Sequence, residues 1–212
     1  MADELIFYTN PMSRGQIVRW MLEEVGAPYE TNILGYGTSM KDDAYLAINP
    51  MGKVPTIVHN GKVVTECAAI CAYLADAFPA ANLAPAAADR ADYYRWMFFA
   101  AGPVEQAITA KHLGIEPDAD QQRSAGFGTL DHALDALESA VVGKSFVAGG
   151  RFSAADVYVG SQVDWGLQFG TIPSRPAFET YAAGLRERAG YKAAKAIDNA
   201  LIAEIQAGTA PA

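Results

Sequence analysis

The amino-acid sequence predicts two unlike halves, an α/β domain over residues 1–78 and an all-α helical bundle domain over 89–212. Three observations carry that expectation. Strand and helix patterns alternate through the first half; residues 79–88 hold two prolines and no charge, as a linker does; beyond them only helical spacings recur. With 212 residues and 51% hydrophobic composition, each half is long enough to bury a core.

Leu5-Ile6-Phe7-Tyr8-Thr9 is a short apolar run ended by Asn10-Pro11, and predicts a strand. After it Ile17, Val18, Met21, Leu22 and Val25 recur at helical spacing until Gly26 stops the turn. Tyr29 to Leu34 reads as a second strand. The loop Gly35-Tyr36-Gly37 then leads into a poorly patterned segment around Met40 to Leu46. Thr56-Ile57-Val58 and Lys62-Val63-Val64 flank His59-Asn60-Gly61, and Asn-Gly between apolar runs is a strong hairpin signal. A helix over 66–78 closes the unit. This βαβ opening followed by a hairpin and helix is the thioredoxin-like order, built on a mixed sheet.

In the second half, periodicity predicts helices near Asp89 to His112, Gln121 to Val142, Ala154 to Phe169, Pro176 to Arg188 and Lys192 to Gln206, an all-α bundle. Ser153-Ala154-Ala155-Asp156 marks one helix start as a capping box, with Phe152 placed to staple onto Val157. The final Gly208-Thr209-Ala210-Pro211-Ala212 is expected to fray.

A net charge of −8 argues against nucleic acid and anionic membrane surfaces, which select basic patches. The acidic start Met1-Ala2-Asp3-Glu4 is unlike a secretory signal, and no apolar run approaches a bilayer span, so a cytoplasmic protein is expected. Cys67 and Cys71 read as reduced thiols one helical turn apart. His59, His112 and His132 are scattered without ligand spacing, and no metal is expected.

The most informative stretch is Asn49-Pro50-Met51-Gly52-Lys53-Val54-Pro55-Thr56-Ile57, followed by Glu66-Cys67 at the head of an apolar helical run. A proline opening a strand gives no N–H to the ladder, so Val54 just before it keeps a free main-chain face. An extended peptide can add to that face while a nearby helix N-terminus holds its carboxylate and Glu66 its amine. The combination resembles the glutathione site of the glutathione S-transferase family, where a cis-proline follows the pairing residue and an acidic-serine pair caps the ligand's glutamyl end. The capping box at Ser153 is a further point of resemblance. The likeness covers nearly the whole chain and is to bacterial-like, cytosolic members with a serine-type site.

What the resemblance implies is a glutathione transferase, homodimeric, with glutathione as co-substrate and a small hydrophobic electrophile as partner. Glutathione would be held by Lys53, Val54, Pro55, Glu66 and Cys67, the last in place of the more usual serine; Lys41 is an alternative to Lys53 for the glycyl carboxylate. Such chemistry needs a thiolate, and a thiol of ordinary pKa is only a few per cent ionised at pH 7. In Asn10-Pro11-Met12-Ser13-Arg14-Gly15 the resemblance makes Ser13 the sulfur's hydroxyl donor, unless it only caps the helix. Asn10 offers an amide donor, Arg14 a cation, and Tyr8 a competing hydroxyl ranked below Ser13. The electrophile pocket is expected between Ser13 and the first bundle helix, walled by Met12, Tyr36, Trp96, Phe99, Ala100 and Pro103, with Trp165 and Phe169 of lower weight. Glutathione-dependent isomerisation or dehalogenation, and a non-catalytic interaction protein of this fold, are the alternatives.

Overall fold

The computed structural model describes residues 4–208, so all but Gly208 of the tail expected to fray lies outside the described residues. By packing, the chain divides into two units: the described residues up to Ala81 together with those from Arg188 onward, and residues Asn82–Glu187 between them. The grouping differs from the linear division at 78 and 88, because the last helix packs on the first.

In the first unit, β1 (Leu5–Thr9) pairs in parallel with β2 (Glu30–Ile33) and antiparallel with β3 (Thr56–His59), which pairs antiparallel with β4 (Lys62–Thr65). The sheet order β2-β1-β3-β4 is the mixed, thioredoxin-like arrangement. The β3–β4 turn rests on Asn60 (φ 51°) and Gly61 (φ 76°), the two positive values that an Asn-Gly hairpin requires. Helix α1 (Gly15–Val25) ends at Gly26 in the left-handed conformation. A short α2 (Asp43–Leu46) lies in the poorly patterned stretch, and α3 (Cys67–Ala77) follows β4. Phe7 and Ile57 from the sheet, Ile17, Val18, Met21 and Leu22 from α1, and Ile70 and Leu74 from α3 are buried as this unit's core. Tyr8, Leu34, Met40, Tyr45, Ile48 and Val54 form a separate cluster about α2.

The second unit is helical: α4 (Ala91–Phe99), α5 (Glu105–His112), α6 (Gln121–Ser124), α7 (Leu130–Val141), α8 (Ala154–Phe169) and α9 (Pro176–Arg186). Two expected helices are interrupted. Pro103 has no N–H and needs room for its ring, and the helix widens into a π turn over Ala100–Val104. Gly126 and Gly128, the latter at φ +65°, separate α6 from α7. Helix α8 is buried on almost every face, as its lack of a polar stripe requires. At its start Ser153 and Asp156 form the expected capping box; the Asp156 carboxylate also accepts from Val147 N–H (2.7 Å) and the Tyr181 hydroxyl (2.9 Å).

Helix α10 (Ala189–Gln206) belongs to the first unit and is held to α1 by polar groups. Arg19 reaches Asp198 (3.2 Å), Arg188 grips Glu24 with two 2.7 Å bonds, and Trp20 meets Tyr191 edge-on with ring centroids 5.1 Å apart.

Candidate active site

Three backbone segments of the first unit carry the candidate residues: the turn between β1 and α1, the loop before β3, and the head of α3. The β1–α1 turn is knotted around Asn10, which is fully buried. Its Nδ2 donates to Leu34 O (2.9 Å) beyond the end of β2, and its Oδ1 accepts from Met12 N–H (2.9 Å). Its carbonyl accepts from both the N–H (3.1 Å) and the hydroxyl (2.6 Å) of Ser13. Ser13 Oγ in turn accepts from Gly15 N–H (2.9 Å). The single hydroxyl proton therefore points at Asn10 O, and reaching a sulfur requires it to exchange that bond. Gly15 is dictated by close approach, since a Cβ there would run into the Thr9 hydroxyl.

Arg14 exposes its side chain at the head of α1 and presents its carbonyl to Cys67 Sγ (3.6 Å), which brings the starts of α1 and α3 side by side. Two helix N-termini thus share one region with their positive dipole ends. Cys67 and Cys71 are both buried and not joined in a disulfide; burial, with Cys67 close by, pushes the Cys71 thiol well up, so it is the less reactive form that is favoured there. Glu66, immediately before α3, sits at φ 67°, ψ 119°, a sparsely populated conformation costing a non-glycine residue about 1–3 kcal/mol. Its carboxylate is exposed and, among the described residues, meets no cation.

The Val54–Pro55 peptide is cis, as the resemblance implies. Among the described residues, neither the N–H nor the C=O of Val54 takes part in a hydrogen bond, while its side chain packs on the cluster about α2. The loop is braced from behind. The Lys53 carbonyl accepts from the Tyr45 hydroxyl (2.6 Å) and from Asn49 Nδ2 (2.8 Å); Asn49 Oδ1 accepts from Met51 N–H (3.1 Å). Lys41 Nζ spans Gly52 O (2.8 Å) and Met51 O (3.4 Å), so its charge is spent on the loop, whereas the Lys53 side chain is exposed. Gly52, at φ +56°, leaves no space for a Cβ against Met40 O and Leu46.

Tyr8 points to the sheet face that α2 covers, its ring 5.6 Å from that of Tyr45. Of the expected pocket residues, Met12 and Tyr36 are exposed in the first unit, the Tyr36 hydroxyl 3.4 Å from Met12 O. Trp96, Phe99 and Pro103 belong to the second unit: Trp96 is buried against Phe99 (5.6 Å), and Pro103 lies in the π turn. Ala100 is also buried, whereas Phe169 is 74% exposed with Trp165 at 6.3 Å.

Sequence reading gave no role to Tyr45, Asn49 or Gln16. Asn49 had a signal, because asparagine before Pro-Met can turn the chain by accepting from the N–H two residues on. Tyr45 lay in a stretch without periodicity, and Gln16 looks like any exposed polar residue of an amphipathic helix.

Among the described residues no group of three His, Cys, Asp or Glu side chains is placed to hold a metal ion, and no helix is long and apolar enough to cross a membrane.

Comparison with known proteins agrees with this fold. Residues 12–77 match the family model for the glutathione S-transferase N-terminal domain. Glutathione S-transferase GST-4.5 of Xanthomonas campestris pv. campestris is 29% identical over 164 residues, 73% of this chain and 76% of that protein. A glutathione transferase crystal structure from Methylococcus capsulatus str. Bath matches at TM-score 0.76 and 25% identity, over 92% of this chain and 98% of that one. A sphingomonad glutathione S-transferase complexed with glutathione matches at TM-score 0.74 and 27% identity, over 92% and 98% of the two chains. Residues 12–77 thus belong to the glutathione S-transferase N-terminal domain family, and over nearly its whole length the chain is similar to glutathione S-transferases.

Proposed function

We propose that this protein, a glutathione transferase by family, binds glutathione extended along Val54 and activates its thiol at the β1–α1 turn. The observation that carries the reading is the unengaged main chain of Val54, held between the braced Lys53 carbonyl and the cis-proline. Strand-like pairing there leaves the glutamyl end to Glu66 and the amides at the head of α3, and the glycyl carboxylate to Lys53. The similar sphingomonad protein, solved with glutathione, supports the same ligand.

The thiol must be ionised for attack. Lowering its pKa by two units takes about 2.7 kcal/mol of preferential stabilisation of the sulfur anion. The head of α1 supplies its dipole, Arg14 a charge and Ser13 a hydroxyl proton once that proton leaves Asn10 O. The thiol proton passes to solvent, sulfur bonds to the electrophilic carbon, and the displaced pair leaves with the leaving group or enters a conjugated acceptor. The electrophile is a small hydrophobic molecule, with the exposed Met12 and Tyr36 as its proposed contacts in the first unit. The working form is a cytoplasmic homodimer.

A second reading has its own observation. Because the Ser13 hydroxyl is committed to Asn10 O and Cys67 replaces a stronger donor, the site can hold glutathione without activating it. Calorimetric titration with glutathione, in wild type and Glu66→Ala, tests the site: unchanged heats would remove the glutamyl assignment. Thiolate absorbance of bound glutathione against pH then separates transferase from mere binder, since only the transferase lowers the thiol pKa.

A further inference from the structure

The β1–α1 turn is tied to the last helix of the chain by one side chain. Gln16 Nε2 donates to Pro11 O at 2.6 Å, and Gln16 Oε1 accepts from Lys195 Nζ at 2.8 Å. An ammonium only donates, so Lys195 fixes which end of the Gln16 amide is oxygen and turns the NH2 toward Pro11. The Pro11–Met12 peptide is thereby held at both ends, its carbonyl by Gln16 and its N–H by Asn10 Oδ1 at 2.9 Å. Ser13 is the next residue. Lys195 stands on a rigid base, because the contacts of Arg19 with Asp198, Arg188 with Glu24 and Trp20 with Tyr191 lock α10 along α1.

We propose that Gln16 and Lys195 are positioning residues for the thiol-activating turn, so that the C-terminal helix sets the geometry in which Ser13 and the head of α1 meet the sulfur. This rests on the reading of that turn as the sulfur site. A displacement of about 1 Å at a reacting centre lowers rate far more than it lowers binding. The relay therefore shows itself in kcat and in the thiol pKa before it shows in glutathione affinity.

Gln16→Glu separates positioning from helix docking. The carboxylate keeps an acceptor for Lys195, now as an ion pair, but loses the N–H to Pro11 and sets an oxygen against its carbonyl. The expected result is a folded variant with a modest fall in thermal stability, a bound-thiol pKa shifted up toward the free value, a fall in kcat of about tenfold and a smaller change in KM for glutathione. Lys195→Met should move the same readouts in the same direction, and Lys195→Arg should restore them. If Gln16→Glu does not fold, the Lys195 pair carries the test. A wild type that lowers the thiol pKa beside variants that match it overturns this inference alone. A wild type that binds glutathione without lowering its pKa overturns the sulfur-site reading, and this inference with it.

Discussion

The Tyr45 hydroxyl donates to the Lys53 carbonyl across 2.6 Å, joining α2 to the loop that presents Val54. Tyr45 gives its proton to Lys53, Thr56 gives its own to Tyr45 (2.9 Å), and Asn49 Nδ2 supplies Lys53 O (2.8 Å) and Thr56 Oγ1 (3.1 Å). Burial holds the Tyr45 phenol above its ordinary pKa, so the donor form persists through the working pH range. Tyr45→Phe leaves the Thr56 hydroxyl without its acceptor and should cost about 1–3 kcal/mol of stability. Calorimetry should show glutathione binding weakened several-fold, because the Val54 edge loses its brace. Binding as tight as wild type would dismiss the brace.

Two roles are proposed for Ser13, and two readouts, stability and the bound-thiol pKa, report them apart. Ser13→Ala removes a hydroxyl that links Asn10 O to Gly15 N–H, and should cost about 1 kcal/mol on that account alone. In addition the bound-thiol pKa should rise, while Ser13→Thr keeps both properties. Tyr8→Phe should leave the thiol pKa where it was, since Tyr8 lies on the sheet face that α2 covers. A pKa that moves in Tyr8→Phe and not in Ser13→Ala would reverse the assignment.

Much of this was legible in the residues, and the illegible part has physical causes. Leu5–Thr9, the Asn60-Gly61 turn and the Ser153 capping box follow from local chemistry, which a linear pattern records. The interruption at Pro103 and the split at Gly126 and Gly128 were written in residues whose effect apolar periodicity outweighed. The docking of α10 on α1 depends on pairs such as Arg19 with Asp198, 179 positions apart, which no local pattern encodes. At the site, the motif around Val54 and Pro55 pointed to the unengaged main chain of Val54. The direction of the Ser13 proton and the bracing by Tyr45 depend on which carbonyl lies within reach, a tertiary fact.

Asp156 gives a pH signature in the helical unit. Burial outweighs the hydrogen bonds from Val147, Tyr181 and Ser153 and raises its carboxyl from 3.8 to about 6. Between those values the folded state binds more protons than the unfolded chain, so this group's contribution to stability falls as pH rises through that window. The loss is on the order of 3 kcal/mol. Asn does not titrate, so the penalty of Asp156→Asn should be largest near pH 4 and shrink toward pH 7 in denaturant unfolding. A penalty that grows with pH would mean that the donors hold the carboxylate ionised.

The pair of Arg19 and Asp198 should behave as a buried charge couple whose halves cannot be removed one at a time. Arg19 is nearly inaccessible, set over the rings of Phe7 (5.0 Å) and Tyr29 (5.6 Å), and its Nη1 donates to Thr31 Oγ1 (2.8 Å) and the Tyr29 hydroxyl (3.1 Å). Tyr29 passes its own proton to Glu23 (2.7 Å), and burial lifts its phenol to about 12. One atom on each partner, Arg19 Nη2 and Asp198 Oδ2, is buried with no hydrogen bond, and burial raises the Asp198 carboxyl despite the neighbouring guanidinium. Desolvation is thus only partly offset, which is the case in which an apolar pair does as well as an ionic one. Arg19→Met strands the carboxylate and should cost about 3–5 kcal/mol, and Asp198→Leu should cost a similar amount by stranding the guanidinium. The double variant should recover most of that loss in a double-mutant cycle measured by denaturant unfolding. Strict additivity of the two single penalties would show that the charges do not depend on each other, and that α10 is held to α1 by its remaining contacts.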